Sequence, residues 1–192
     1  MIALILGLVL FLGVHSARVV AEGPRRDFIA RRGAGPWKGL YTVVSLVGFV
    51  LLVWGYGLAR QQPVVLWSAQ PGLRHIASLL VLVSFVLLAA AYVPGNQIKA
   101  RLHHPMTLGV KVWAFAHLLA NNTLADVLLF GGFLVWSIAV FAAARRRDRA
   151  DGVIYPPGNP TRTAVAVVAG VLAWLVFALW LHGWLIGVRP FG

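Results

Sequence analysis

No cysteine occurs anywhere in the chain. That excludes disulfides, thiolate metal sites and a cysteine nucleophile, and leaves His, Met, Tyr, Asp and Glu to supply any metal or cofactor ligand. Acidic residues are scarce as well: five Asp and Glu stand against 17 Lys and Arg, for a formal charge of +12. Charged residues make up 11% of the sequence, roughly half the share of an ordinary soluble domain. There is no internal repeat, no low-complexity stretch and no segment polar enough to form a soluble domain. Nothing matches a nucleotide-binding loop, a zinc-hydrolase helix or a serine triad.

What is present is apolar. Hydrophobic residues reach 60%, the mean hydropathy is +0.82, and these residues lie in long runs, which is the pattern of membrane-spanning helices. The net positive charge does not point to nucleic acid, because the basic residues sit in short loops between apolar runs rather than on one soluble face. The expected fold is an all-α, polytopic transmembrane helix bundle forming a single domain over residues 1–192.

Six runs are legible: Met1 to about Val20, about Gly39 to Ala59, about Leu73 to Val93, about Met106 to Asn121, about Leu124 to Ala144, and about Ala164 to Gly187. The first lacks the basic n-region of a signal peptide, and cleavage after Ala21 would place Arg25, Arg26, Arg31 and Arg32 outside, so it is expected to be a retained helix. The fourth, at about 1.5 Å rise per residue, is near the lower limit for a span; a re-entrant hairpin turning at Asn121-Asn122 is the alternative. With six spans and both termini outside, fourteen of the 17 Lys and Arg fall on the inner side, leaving Arg60, Arg74 and Arg189 outside. That bias favours this orientation and six full spans in a bacterial-style inner membrane. Pro156-Pro157-Gly158-Asn159-Pro160 reads as a turn-rich inner loop, and Gly131-Gly132 as a place of close helix packing.

Ionisable residues inside a span are costly and are functional candidates by default. His117 is the most informative, lying well inside the fourth run with Trp113 and Asn121 one turn away on either side; Asn121 is placed to hydrogen-bond the imidazole nitrogen not used for ligation. An ordinary helix-to-helix hydrogen bond is the structural alternative. His15 lies in the inner half of the first run, either as a ligand or as a packing residue. Arg18 reads as a snorkelling side chain paired with Glu22. His103 and His104, beside Pro105, suit a helix cap or a headgroup contact as well as a functional role. Lys111 is expected to snorkel. Asp126 is placed to serve its helix N-terminus or to pair with Arg74 or Arg189. His75 and His182 fall in the outer aromatic belt. His15 and His117 differ in depth by about 8 Å on an ideal helix, which tilt and a short span can reduce, so bis-histidine ligation of a haem between two helices is geometrically open.

The segment from Arg101 to Asn121, with His103-His104-Pro105-Met106 and Trp113-Ala114-Phe115-Ala116-His117, resembles the signature of the NnrU family. So does Ala125-Asp126-Val127-Leu128-Leu129-Phe130-Gly131-Gly132, and Gly13-Val14-His15-Ser16 is similar to that family's first helix. The resemblance runs from the first helix to the last. It implies a small polytopic membrane protein associated with nitrite and nitric oxide metabolism, related to the haem b enzyme zeta-carotene isomerase, which acts on a cis double bond. By that resemblance His15 and His117 match the isomerase's candidate axial histidines, the metal ligands of haem b; His104 matches a further histidine of the motif, and His75 a looser one. The partners this implies are membrane lipid and a small apolar substrate or nitric oxide. Two other functions stand beside it: a non-enzymatic assembly partner or small-solute transporter without a cofactor, and a membrane methyltransferase of the isoprenylcysteine type, suggested by Arg-x-x-His-Pro but lacking an acidic cofactor-binding segment after Ala144.

Overall fold

The computed structural model describes residues 1–68 and 70–191, and every regular element among them is helical. In chain order these are α1 (Ile2–His15), α2 (Ala17–Val20), α3 (Glu22–Arg32), α4 (Ala34–Ala59), α5 (Pro71–Tyr92), α6 (Gln97–Leu102), α7 (Pro105–Ala120), α8 (Leu124–Ala150), α9 (Pro160–Val176), a π-helical turn (Phe177–Leu181) and α10 (His182–Ile186). Four stretches are long and apolar enough to cross a membrane: Ala34–Ala59, Gly72–Tyr92, Leu124–Ala150 and Pro160–Ile186. The protein is thus an all-α, multi-pass membrane protein. The last of these stretches runs unbroken through the π-helical turn.

The remaining two apolar helices, α1 and α7, have 14 and 16 residues. At about 1.5 Å per residue they cover about 21 and 24 Å, less than a hydrocarbon core of about 30 Å. For α7 the sequence anticipates the bounds to within a residue, because Pro105 opens the helix and Asn121 leaves it in an extended conformation. For the first run it anticipates the end at Val20 but not the break at Ser16 that separates α1 from α2. There the Ser16 hydroxyl bonds back to the Leu12 carbonyl at 2.7 Å and the Ser16 N–H is shared between Leu12 and Gly13. Such back-bonding competes with the helical ladder. The helices that follow are short, and α3 carries Arg25, Arg26, Arg31 and Arg32.

The chain divides into two compact units, Met1–Ser68 with Asn122–Trp136, and Ala69–Asn121 with Ser137–Gly192. In the first, α1 packs along α4 through a seam of small residues. A Cβ on Gly48 would lie 2.7 Å from the Phe11 backbone nitrogen, and Cβ atoms on Gly7 and Gly55 would strike the backbones of Leu52 and Leu4. Gly48, Leu52, Gly55 and Ala59 all face inward from α4, at the spacing that lets two backbones approach in lipid, where packing and not the hydrophobic effect drives association. The glycine pair expected to do this does so only in half: Gly132 faces Leu8 and Leu12 at ordinary contact distances of 3.6 to 3.8 Å, and Gly131 faces open space. The loop after α4 runs beside the start of α8, with Leu66 N–H donating to Asn122 O and Leu124 N–H to Val64 O, both at 2.9 Å.

In the second unit α5 is flanked by α7 and α9. Gly109 of α7 sits over α5, where the fully buried Ser84 hydroxyl donates to the Gly109 carbonyl at 2.8 Å. Gly170 of α9 sits on α5 at Val86, where a Cβ would come within 2.5 Å of backbone. The turn-rich loop before α9 is pinned rather than loose. Asn159 caps α9 through Thr161 N–H, and its own N–H donates to Gly95 O, both at 2.8 Å. Asn96, buried beside it, caps α6 through Lys99 N–H at 2.8 Å and donates to the carbonyls of Ala90 and Val93.

Candidate functional site

In the first unit, His15 is the last residue of α1. Its Nδ1–H donates to the Phe11 carbonyl at 2.6 Å. Around the ring lie Phe11, Tyr41 and Trp136, with ring centroids at 4.3, 5.1 and 6.3 Å. Phe133 completes the aromatic group, 6.0 Å from Phe11 and 6.3 Å from Trp136. The Trp136 indole Nε1–H in this unit is buried without a hydrogen-bond partner. Buried polar groups are nearly always paired, so an orphaned indole N–H beside a histidine marks a place suited to an acceptor.

His117 lies in the second unit, in the last turn of α7. Its Nδ1–H donates to the Trp113 carbonyl at 2.9 Å, and the Trp113 ring packs at 5.0 Å. The expected role of Asn121 is corrected here. Its side chain donates to the His117 backbone carbonyl at 2.8 Å, not to the ring; the same carbonyl also accepts the Asn121 N–H at 3.0 Å, so both groups of Asn121 close the helix end. His15 and His117 therefore share one arrangement: Nδ1–H is tied to the carbonyl four residues earlier, which places the ring lone pair on Nε2. That is the tautomer an imidazole needs to ligate a metal through Nε2.

His103 and His104 belong to a different cluster, also in the second unit. His104 Nε2–H donates to Asp148 Oδ2 at 2.7 Å, and the Tyr155 hydroxyl donates to the same oxygen at 2.9 Å. Arg145 donates to His103 Nδ1, and the His103 ring stacks on Tyr155 at 4.0 Å and 10°. His103 is the one non-glycine residue with positive φ among those described, φ 66 and ψ −51, and His104 N–H closes a γ-turn onto the Leu102 carbonyl at 2.8 Å. This turn form is strained and is held by its surroundings. Sequence reasoning named the two histidines but missed Arg145, Asp148 and Tyr155. Partial burial, together with the bond to Asp148 and its negative charge, raises the Tyr155 hydroxyl above the usual tyrosine range.

The remaining candidates are structural. Asp126 and Thr123 form a reciprocal cap on α8, with Thr123 N–H donating to Asp126 Oδ2 at 3.0 Å and Asp126 N–H to Thr123 Oγ1 at 3.3 Å. Asp126 thus serves its helix N-terminus, as one of its two expected roles. Glu22 takes Arg25 at 3.4 Å and Arg26 at 3.9 Å, in place of the expected Arg18. Lys111 places its ammonium 4.5 Å over the Phe141 ring. His182 Nδ1–H donates to the Val188 carbonyl, and His75 is exposed on α5. Among the described residues no three His, Asp or Glu side chains gather as a metal-binding group.

Two short apolar helices, each with a half-buried histidine in its last turn, together with four helical stretches long enough to span, define a small multi-pass membrane protein with single imidazoles at helix ends. The family model described as NnrU protein matches residues 3–190, nearly the whole chain, and the chain belongs to the NnrU family. No curated protein and no solved structure matches it.

Proposed function

We infer that this protein carries haem b in a bacterial cytoplasmic membrane, with His15 and His117 as the histidines that would ligate it, and acts in nitrite and nitric oxide metabolism or in haem-dependent isomerisation of a polyene. The observation that supports this reading is the shared tautomer. Each imidazole is fixed through Nδ1–H to the carbonyl four residues before it, Phe11 for His15 and Trp113 for His117. The fit extends to the surroundings of His15, where aromatic rings suit the faces of a macrocycle and the buried, unpartnered Trp136 indole N–H suits a polar substituent or bound ligand. Haem b held by these imidazoles would supply an iron able to bind nitric oxide or a polyene double bond. The chain's own part is to hold each imidazole in the ligating tautomer, to surround His15 with apolar rings that exclude water, and to offer the indole donor at its edge.

An absorption spectrum of the purified protein tests this, oxidised and reduced, before and after haem reconstitution. A Soret band with sharpened bands on reduction is expected. Replacing His117 by Ala weakens or removes it, and replacing His15 by Ala shifts it. A preparation that stays colourless after reconstitution overturns the reading, as does an unchanged spectrum in both variants.

A further inference from the structure

The cluster built on His103 borders an open recess of about 300 Å³, lined by His103, Arg145, Asp148, Arg149, Gly152 and Val153. The recess exists because of how α8 ends. Gly152 has φ +61, Val153 N–H donates to the Asp148 carbonyl at 2.9 Å, and together these reverse the chain at the last turn. The reversal carries the 6→1 bond of a Schellman motif, which satisfies the Asp148 carbonyl, and Asp151 N–H satisfies the Arg147 carbonyl at 2.8 Å. The apolar stretch of α8 gives way to Arg145-Arg146-Arg147 immediately after Ala144. The recess therefore opens at the level of the phosphate layer, on the side that the charge bias assigns to the cytoplasm.

Its donors are arranged for an anion. The one carboxylate in the lining, Asp148, is already engaged through Oδ2 by His104 and Tyr155. His103 accepts from Arg145 at Nδ1, so a neutral His103 ring carries its proton on Nε2 and brings a donor, not an acceptor. Arg145 is held in place by that bond, and Arg149 stands one turn further along the same helix, which pairs two guanidinium groups at the spacing of neighbours on one face. Planar guanidinium forks with a fixed N–H donor are the chemistry that recognises phosphate oxygens. We propose that this recess is a binding site for a phosphate group, presented by an anionic lipid headgroup or by a soluble phosphate. It stands on different residues from the haem reading and does not depend on it.

The test uses the full-length protein in detergent, with dioctanoyl phosphatidylglycerol and inorganic phosphate as separate titrants. Arg145→Gln/Arg149→Gln is compared with Arg146→Gln/Arg147→Gln, which removes the same charge from the same helix end outside the recess. Saturable binding of the lipid or of phosphate, weakened about tenfold or more by the first pair and less than about threefold by the second, is expected for two lost charge-assisted contacts. If inorganic phosphate binds and displaces the lipid, the phosphate group alone suffices and a soluble source fits. If only the lipid binds, the headgroup in its membrane setting is the ligand. Arg149→Gln alone keeps the Arg145–His103 bond, so weaker binding in a variant that melts like the parent reads the recess and not the fold. Equal loss in both pairs, unchanged affinity in Arg149→Gln, or no saturable binding of either titrant overturns the proposal.

Discussion

The Tyr56 hydroxyl donates to the Asp126 carboxylate at 2.6 Å, tying the C-terminal end of α4 to the first turn of α8 within the first unit. Asp126 is only 5% exposed, and its other oxygen is taken by the Thr123 hydroxyl and N–H. Every bond to this buried carboxylate therefore counts, since a lost donor leaves charge without compensation. Tyr56→Phe removes one donor and nothing else of size. It is expected to lower stability by about 1–2 kcal/mol, the range for bonds to a charged acceptor after allowing for the modest values measured in membranes. Thermal melting of the purified protein in detergent measures it, and an unchanged midpoint would show that the Thr123 cap alone satisfies Asp126.

The α1–α4 seam gives a sharper contrast. At Gly55 a Cβ would run into the Leu4 backbone, whereas at Gly57, two residues on, it would meet nothing within 4 Å. Gly55→Ala is expected to force the helices apart at a cost of about 1–3 kcal/mol. Gly57→Ala is expected to be neutral or to stabilise by up to about 1 kcal/mol through helix propensity. Comparing the two variants by melting temperature isolates the close approach from the general effect of replacing glycine.

These seams and clusters show what the sequence makes visible. Span positions follow from hydropathy, and the limits of α7 follow from Pro105 and Asn121, which mark themselves. The break at Ser16 between α1 and α2 does not, because hydropathy does not register the Ser16 back-bond. Their depth within apolar runs singled out His117 and His15, and family resemblance added a role, but neither shows how the rings are held: the i−4 carbonyl captures Nδ1 in both, and that depends on helix geometry and not on residue type. The His103–Arg145 and His104–Asp148 pairs lie 42 and 44 residues apart. A single sequence gives no report of such pairings; the one hint is Asp148 standing alone inside a run of arginines.

Stability should also depend on pH through Tyr155. Partial burial, its bond to Asp148 and the negative charge there hold its hydroxyl above the ordinary value near 10. A group whose pKa is raised by folding stabilises the fold fully below its unfolded value, and that contribution is lost as pH rises through the folded value. Melting temperature should therefore hold steady up to about pH 10 and then fall from this source. Tyr155→Phe should flatten that alkaline fall while lowering stability at neutral pH. An alkaline profile identical to the parent's would show that the Tyr155–Asp148 bond makes no net contribution.

Asn121 offers the last separation, between holding a helix end and holding a ring. Its side chain donates to the His117 carbonyl at 2.8 Å, while the His117 ring is held by the Trp113 carbonyl at 2.9 Å. Asn121→Ala should therefore cost about 1 kcal/mol, the net worth of one neutral hydrogen bond, and leave the imidazole as it was. Nitrogen-15 NMR of the histidine rings in ligand-free protein reads this directly, because protonated and unprotonated ring nitrogens resonate far apart. The His117 signals should report Nδ1–H in parent and variant alike, with only the melting midpoint lowered. A change of tautomer in Asn121→Ala would mean that the amide reaches the ring in solution, and that the ligating state of His117 is set by the helix end rather than by the turn that precedes it.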